Sequence, residues 1–112
     1  MTSQLFSGKP KNSTHQVKAP IVIRRVQGAS MTPAYMPGQL VIALRPWRDV
    51  AVGDVIVFDH KQIEKIKRVR SLHDDGVYVV GDNTHASTDS RVFGLVEHQA
   101  VAAIVIWPKR QQ

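Results

Sequence analysis

The chain is 112 residues long and carries fifteen Lys and Arg against nine Asp and Glu, a formal charge of +6, with no cysteine. That length holds one domain with a modest core and leaves no room for a second. The missing cysteines exclude a disulfide framework, a thiol nucleophile and a thiolate metal site, and the basic balance favours anionic partners.

Residues Met1–Pro20 are mostly Ser, Thr, Lys, Asn, Gln, Gly and Pro, and are expected to form a disordered polar tail, neither a signal peptide nor a membrane anchor. The folded domain is expected over residues 21–112. Short β-branched runs punctuated by turn residues dominate it, with no helical periodicity, so the fold class predicted is all-β. Strands are predicted at Ile21–Val26, Leu40–Leu44, Asp54–Asp59, Gln62–Arg70, Val77–Val80 and Val101–Trp107, with turns at Pro37-Gly38, Gly53-Asp54, Asp74-Asp75-Gly76 and Gly81-Asp82-Asn83. One short helix is expected just after Ser30. The longest apolar run, Ala100–Trp107, is far short of the roughly 20 residues a spanning helix requires and reads as a buried strand.

Three stretches carry chemistry. In GASMTP, Ser30 sits at a turn between small residues; Gly28 and Ala29 leave room for a substrate backbone, and the Ser30 N–H is placed to help hold an oxyanion. A serine hydroxyl needs a base, and a lysine can serve only when neutral. At the ordinary pKa near 10.4, about one lysine in a few thousand is neutral at pH 7, so a catalytic lysine must be buried among apolar groups. Lys67 in IKRV, between Ile66 and Val69 on an alternating run, can point inward; Lys61, Lys65, Arg68 and Arg70 crowd the same stretch in the manner of a charged edge strand. The third stretch, GDNTHASTDSR, runs from Gly81 to Arg91. Its Gly81 to Asn83 segment suits a turn, but a turn has no need of Ser87, Asp89 and Arg91 together. His85 beside Asp89 does not make a Ser/His/Asp triad, since triad geometry is spatial and not sequential. The five histidines are scattered without paired ligand spacing, so neither a metal nor a cofactor is expected.

In this order the three stretches, GxSM, KRV and GDNxxxSxDSR, resemble the signal peptidase I family of Ser/Lys proteases over roughly Val26 to Trp107. The resemblance implies Ser30 as nucleophile and selects Lys67, over Lys61 and Lys65, as base. It implies that Ser87 hydrogen-bonds and orients Lys67, that Asp89 and Arg91 pair to hold the third box, and that Gly28 stands where many relatives have a serine as a second oxyanion donor. Val26, Met31, Tyr35 and Ile66 are the candidate lining of shallow apolar substrate pockets, which the family uses for small residues before the cut. The substrate implied is a precursor protein with a leader; small unanchored proteins of this kind resemble the maturation proteases of nickel-containing superoxide dismutase. The setting expected is cytoplasmic, or peripheral to a membrane through Trp47 with Arg45 and Arg48 beside it. The alternatives are a self-cleaving repressor-type Ser/Lys protease and, from a different class, a basic β-barrel that binds nucleic acid; few aromatics and no stacking platform argue against the latter.

Overall fold

The computed structural model describes residues 20–111, so the polar tail expected over residues 1–20 lies outside it except for Pro20. Six strands form one antiparallel sheet: β1 (Ile21–Arg25), β2 (Leu40–Leu44), β3 (Val55–His60), β4 (Ile63–His73), β5 (Gly76–Val80) and β6 (Val101–Trp107), in the order β1-β2-β6-β3-β4-β5. The only α-helix among the described residues is the four-residue α1 (Ser90–Phe93), so the fold is all-β as predicted.

The strands at the middle of the sheet explain why no clean alternation marks them. On β3, Val55 and Val57 face one apolar cluster, with Val22, Val41, Ala43, Ala103 and Val105, while Ile56 and Phe58 face another, with Val69, Val77, Val79, Val96 and Ile104. Successive side chains of a strand point to opposite faces, so a strand covered on both faces must be apolar throughout. The β3 run VIVF is buried at all four positions.

Two local features depart from expectation. After Ser30 the chain makes turns and not a helix: Thr32 N–H donates to Ala29 C=O and Tyr35 N–H to Met31 C=O, and no further α-type hydrogen bond follows. Pro33 and Pro37 bracket this segment and remove the donors a longer helix would need. The second is the two-residue β3–β4 turn, where Lys61 and Gln62 both take left-handed backbone angles, φ 51° and 68°, without a glycine or asparagine to mark it. Such a turn matches the twist of paired strands but costs an ordinary side chain about 1 kcal/mol or more per residue. Gln62→Gly is therefore expected to raise stability by about 1 kcal/mol in urea unfolding, with cleavage rates unchanged. An unchanged unfolding midpoint would mean the turn is unstrained.

Candidate active site

Ser30 lies in the loop after β1, and the third box is folded directly against it. Asn83 N–H donates to the Ser30 carbonyl at 2.9 Å, and Asn83 Nδ2 donates to Thr32 Oγ1 at 3.0 Å. Gly81 makes the contact close. A Cβ built there would lie 2.6 Å from the Ser30 carbonyl oxygen and 2.2 Å from Ser87 Oγ, so glycine is the only residue that fits without displacement. No group among the described residues accepts the Ser30 N–H. Gly28, two residues earlier, has φ +75° with open space around its α-carbon. Its glycine is required by backbone angle, and any side chain there would be strained.

Lys67 reaches the site from β4, where it is buried at 6% exposure. Ser30 and Lys67 line the same groove, of about 480 Å³, together with Val26, Val41, Val57, Ile66 and Lys65. Burial is the main cause that lowers the Lys67 pKa; the cation of Lys65 lowers it further, Asp89 opposes, and Arg91 adds a smaller push downward. Each of these favours or disfavours the charged ammonium, and the balance moves Lys67 toward the neutral amine that a base requires.

Asp89 organises the third box. It is fully buried and accepts from Gly81 N–H at 2.8 Å, from Ser87 Oγ at 2.7 Å, and from Arg91 through Nε at 2.8 Å and a terminal nitrogen at 3.0 Å. Burial alone would raise its pKa, but the hydrogen bonds from Arg91, Gly81 and Ser87 outweigh burial and hold the carboxyl well below the usual carboxylate range. A depressed carboxylate pKa stabilises the fold above the unfolded value, near 3.9, and that contribution is lost only as pH falls through the folded value. The box is thus locked throughout the range where Lys67 can lose its proton. Ser87 Oγ donates to Asp89, and the hydrogen bond expected between Ser87 and Lys67 is not formed among the described residues; the Ser87 oxygen, its proton turned to Asp89, keeps its acceptor capacity. Asp89 also caps α1, accepting from Arg91 N–H at 3.2 Å, and Ser90 Oγ accepts from Val79 N–H, tying the box to β5.

A loop serine and a desolvated lysine on one groove wall, braced by a buried carboxylate, are the elements of nucleophilic catalysis without histidine. The family described as peptidase S24-like matches residues 9–104, most of the chain. The chain belongs to the peptidase S24-like family. Membership supports a serine-type peptidase of the Ser/Lys kind. Comparison with curated proteins found no match.

Of the residues proposed to line the substrate pockets in this S24-like domain, Val26 and Ile66 do stand on the groove wall. Met31 and Tyr35 do not. Both are essentially inaccessible and belong to the core cluster behind the groove, and the Tyr35 hydroxyl donates to Pro108 C=O at 2.6 Å. The bond of Tyr35 N–H to Met31 C=O puts these two side chains on one side of the turn, where they face Val55, Val57 and Val105 instead of the substrate. His85 is exposed, and Asp89 gives its acceptors to Arg91, Gly81 and Ser87, so no Ser/His/Asp arrangement forms. Among the described residues no His, Asp and Glu cluster could hold a metal ion, and no helix is long and apolar enough to cross a membrane.

Sequence reasoning missed the pairing of Arg68, which it counted among the charges crowding β4. Arg68 is buried and bidentate to Asp82, at 2.9 and 2.8 Å, and also donates to Gly53 C=O. Neighbours on a strand point to opposite faces, so an inward Lys67 sends Arg68 to the other side of the sheet. There Asp82 of the third box meets it. Arg68 thereby ties β4 to the box through Asp82.

Proposed function

We propose that this chain is an endopeptidase that removes a leader segment from a precursor protein in the cytoplasm, with Ser30 as nucleophile and Lys67 as general base. The substrate lies extended along the groove between β1 and β4. Ser30 Oγ bonds to the scissile carbonyl carbon as its proton passes to Nζ of neutral Lys67, and the Ser30 N–H stabilises the oxyanion that forms. Collapse breaks the peptide bond, and the Lys67 ammonium returns the proton to the leaving amine. Water, deprotonated by Lys67, then releases the acyl group from Ser30. Val26 and Ile66 offer shallow apolar contacts suited to small side chains. Ser87, its proton turned to Asp89, offers its oxygen to the Lys67 amine once substrate is bound and so aims the amine at Ser30. The observation that carries this reading is the shared groove, with a buried lysine and a half-buried serine on its wall.

The S24-like family is equally compatible with the repressor-type alternative, in which the protein cuts its own chain. The test is to incubate the purified chain alone, and with a leader-bearing nickel-type superoxide dismutase precursor, across pH 6–10. Cleavage of the precursor at a rate proportional to added enzyme is expected. Cleavage of this chain alone, at a rate independent of its concentration, would establish self-processing in its place, and no cleavage of either would overturn the reading.

The electrostatics of the groove give a second expectation. Lys65 disfavours the charged form of Lys67, so removing its cation raises the Lys67 pKa. Activity rises with pH as Lys67 loses its proton, and in Lys65→Ala that rise moves to higher pH. Single-turnover cleavage of a peptide followed against pH measures the shift. An unmoved limb would mean that burial alone sets the pKa.

A further inference from the structure

The two walls of the groove are tied together at the end away from Ser30. Arg24 Nε donates to Glu64 Oε1 at 2.5 Å and a terminal nitrogen of Arg24 to Oε2 at 3.3 Å, a bidentate ion pair between β1 and β4. These strands are not neighbours: β2, β6 and β3 lie between them, so the sheet curls to set them opposite each other. Each neighbouring pair in that order is antiparallel, so β1 and β4 run the same way. Alternation puts Arg24 and Val26 on one face of β1 and Glu64 and Ile66 on one face of β4, and Val26 and Ile66 pack in the same apolar cluster. Successive rungs therefore cross the groove, first the ion pair, then the apolar pair, then Ser30 and Lys67. At about 3.3 Å per residue, Glu64 stands about 10 Å from Lys67 along β4. Glu64 is also the only acid among the residues that line the groove, against Arg24, Arg25, Lys65 and Lys67.

We propose that the Arg24–Glu64 pair bounds the acyl side of the groove and selects substrates with an acidic residue at the fourth position before the cut. The inference rests on the Ser30–Lys67 reading of the groove. An extended peptide whose cut residue lies beside Lys67 advances about 3.3 Å per residue, so its fourth residue comes abreast of the ion pair. A longer peptide must part the pair to pass. At 50% and 35% exposure, Arg24 and Glu64 are reached by water and salt, and such a pair is weak enough to open. A substrate carboxylate at the fourth position takes the place of Glu64 on the Arg24 guanidinium and keeps the bidentate hydrogen bonding. A basic residue there would pair with Glu64 but meet the cations of Arg24 and Lys65, and an apolar residue would give neither charge a new partner. The charged rung thus adds a selection by sign to the selection by size at Val26 and Ile66.

The test is a double-mutant cycle between protein and substrate. Peptides with six residues before the cut carry Glu or Ala at the fourth position, or at the second as a control, and are given to the wild type and to Arg24→Ala. The wild type is expected to prefer Glu over Ala at the fourth position by about fivefold in kcat/KM, a preference that shrinks in high salt. In Arg24→Ala that preference is expected to vanish, while the second position, which lies short of the pair, shows no coupling to Arg24. Binding of the same peptides to Ser30→Ala, which requires no cleavage, is expected to follow the same order. Equal cleavage and binding of the Glu and Ala peptides by the wild type, or equal coupling of Arg24 to both positions, would overturn the proposal and leave the Ser30–Lys67 reading standing. Ordered binding to Ser30→Ala, with no cleavage of any peptide by the wild type, would uphold the charged rung and overturn that reading.

Discussion

Ser30→Ala is expected to lower the rate of peptide cleavage by at least about 10³-fold, since no other group on the groove wall can form the acyl intermediate. Lys67→Met is expected to fall as far, because the serine hydroxyl then has no base. The two variants should differ in stability. A buried lysine whose pKa is held below its unfolded value costs the fold free energy; the cost is fully present below the folded pKa and vanishes as pH rises above the unfolded value, near 10.4. Methionine fills similar space without a charge, so Lys67→Met is expected to be more stable than the wild type near neutral pH, with the advantage fading toward pH 10. Ser30→Ala should unfold near the wild-type midpoint. Urea unfolding at pH 6, 8 and 10 beside single-turnover cleavage measures both. A destabilised Lys67→Met at neutral pH would mean that the ammonium is satisfied inside the protein and is no base.

Gly81→Ala is expected to have the next largest effect. The new methyl would meet the Ser87 side chain and the Ser30 carbonyl at distances no real Cβ occupies. Ser87 can rotate, but a backbone carbonyl moves only with its residue, so relief must shift Ser30 itself. Overpacking of this kind costs about 1–3 kcal/mol, and displacing a reacting group by about 1 Å can cost 10²-fold in rate. Adding Ser87→Gly removes one of the two clashes; stability is expected to recover in part while activity stays low. Full activity in Gly81→Ala would show that the third box does not position Ser30.

The strands were readable because short β-branched runs bounded by Gly, Pro, Asn and Asp leave few other choices, and Leu40–Leu44 and Val101–Trp107 fall where predicted. Lys67 could be singled out from its charged neighbours only with the GDN box beside it. Local pattern does not report partners far away in sequence. Arg68 looked like one more solvated cation until the fold brought Asp82, fourteen residues on, to its guanidinium. Met31 and Tyr35 looked like pocket residues because they follow the serine closely, yet the turn that exposes Ser30 rotates them into the core. The Lys61-Gln62 turn carried no signal, since its residues tolerate their backbone angles only under the pairing of β3 with β4.

With Lys67 as its base, Ser30 is expected to form a covalent acyl intermediate. Acid quenching of a single turnover with a peptide substrate, followed by digestion and mass spectrometry, tests it directly. The acyl mass is expected on the peptide containing Ser30, accumulating faster as pH rises, and absent in Lys67→Met. An adduct on Ser87 or Ser90, or cleavage with no adduct on Ser30 at any time, would contradict the account.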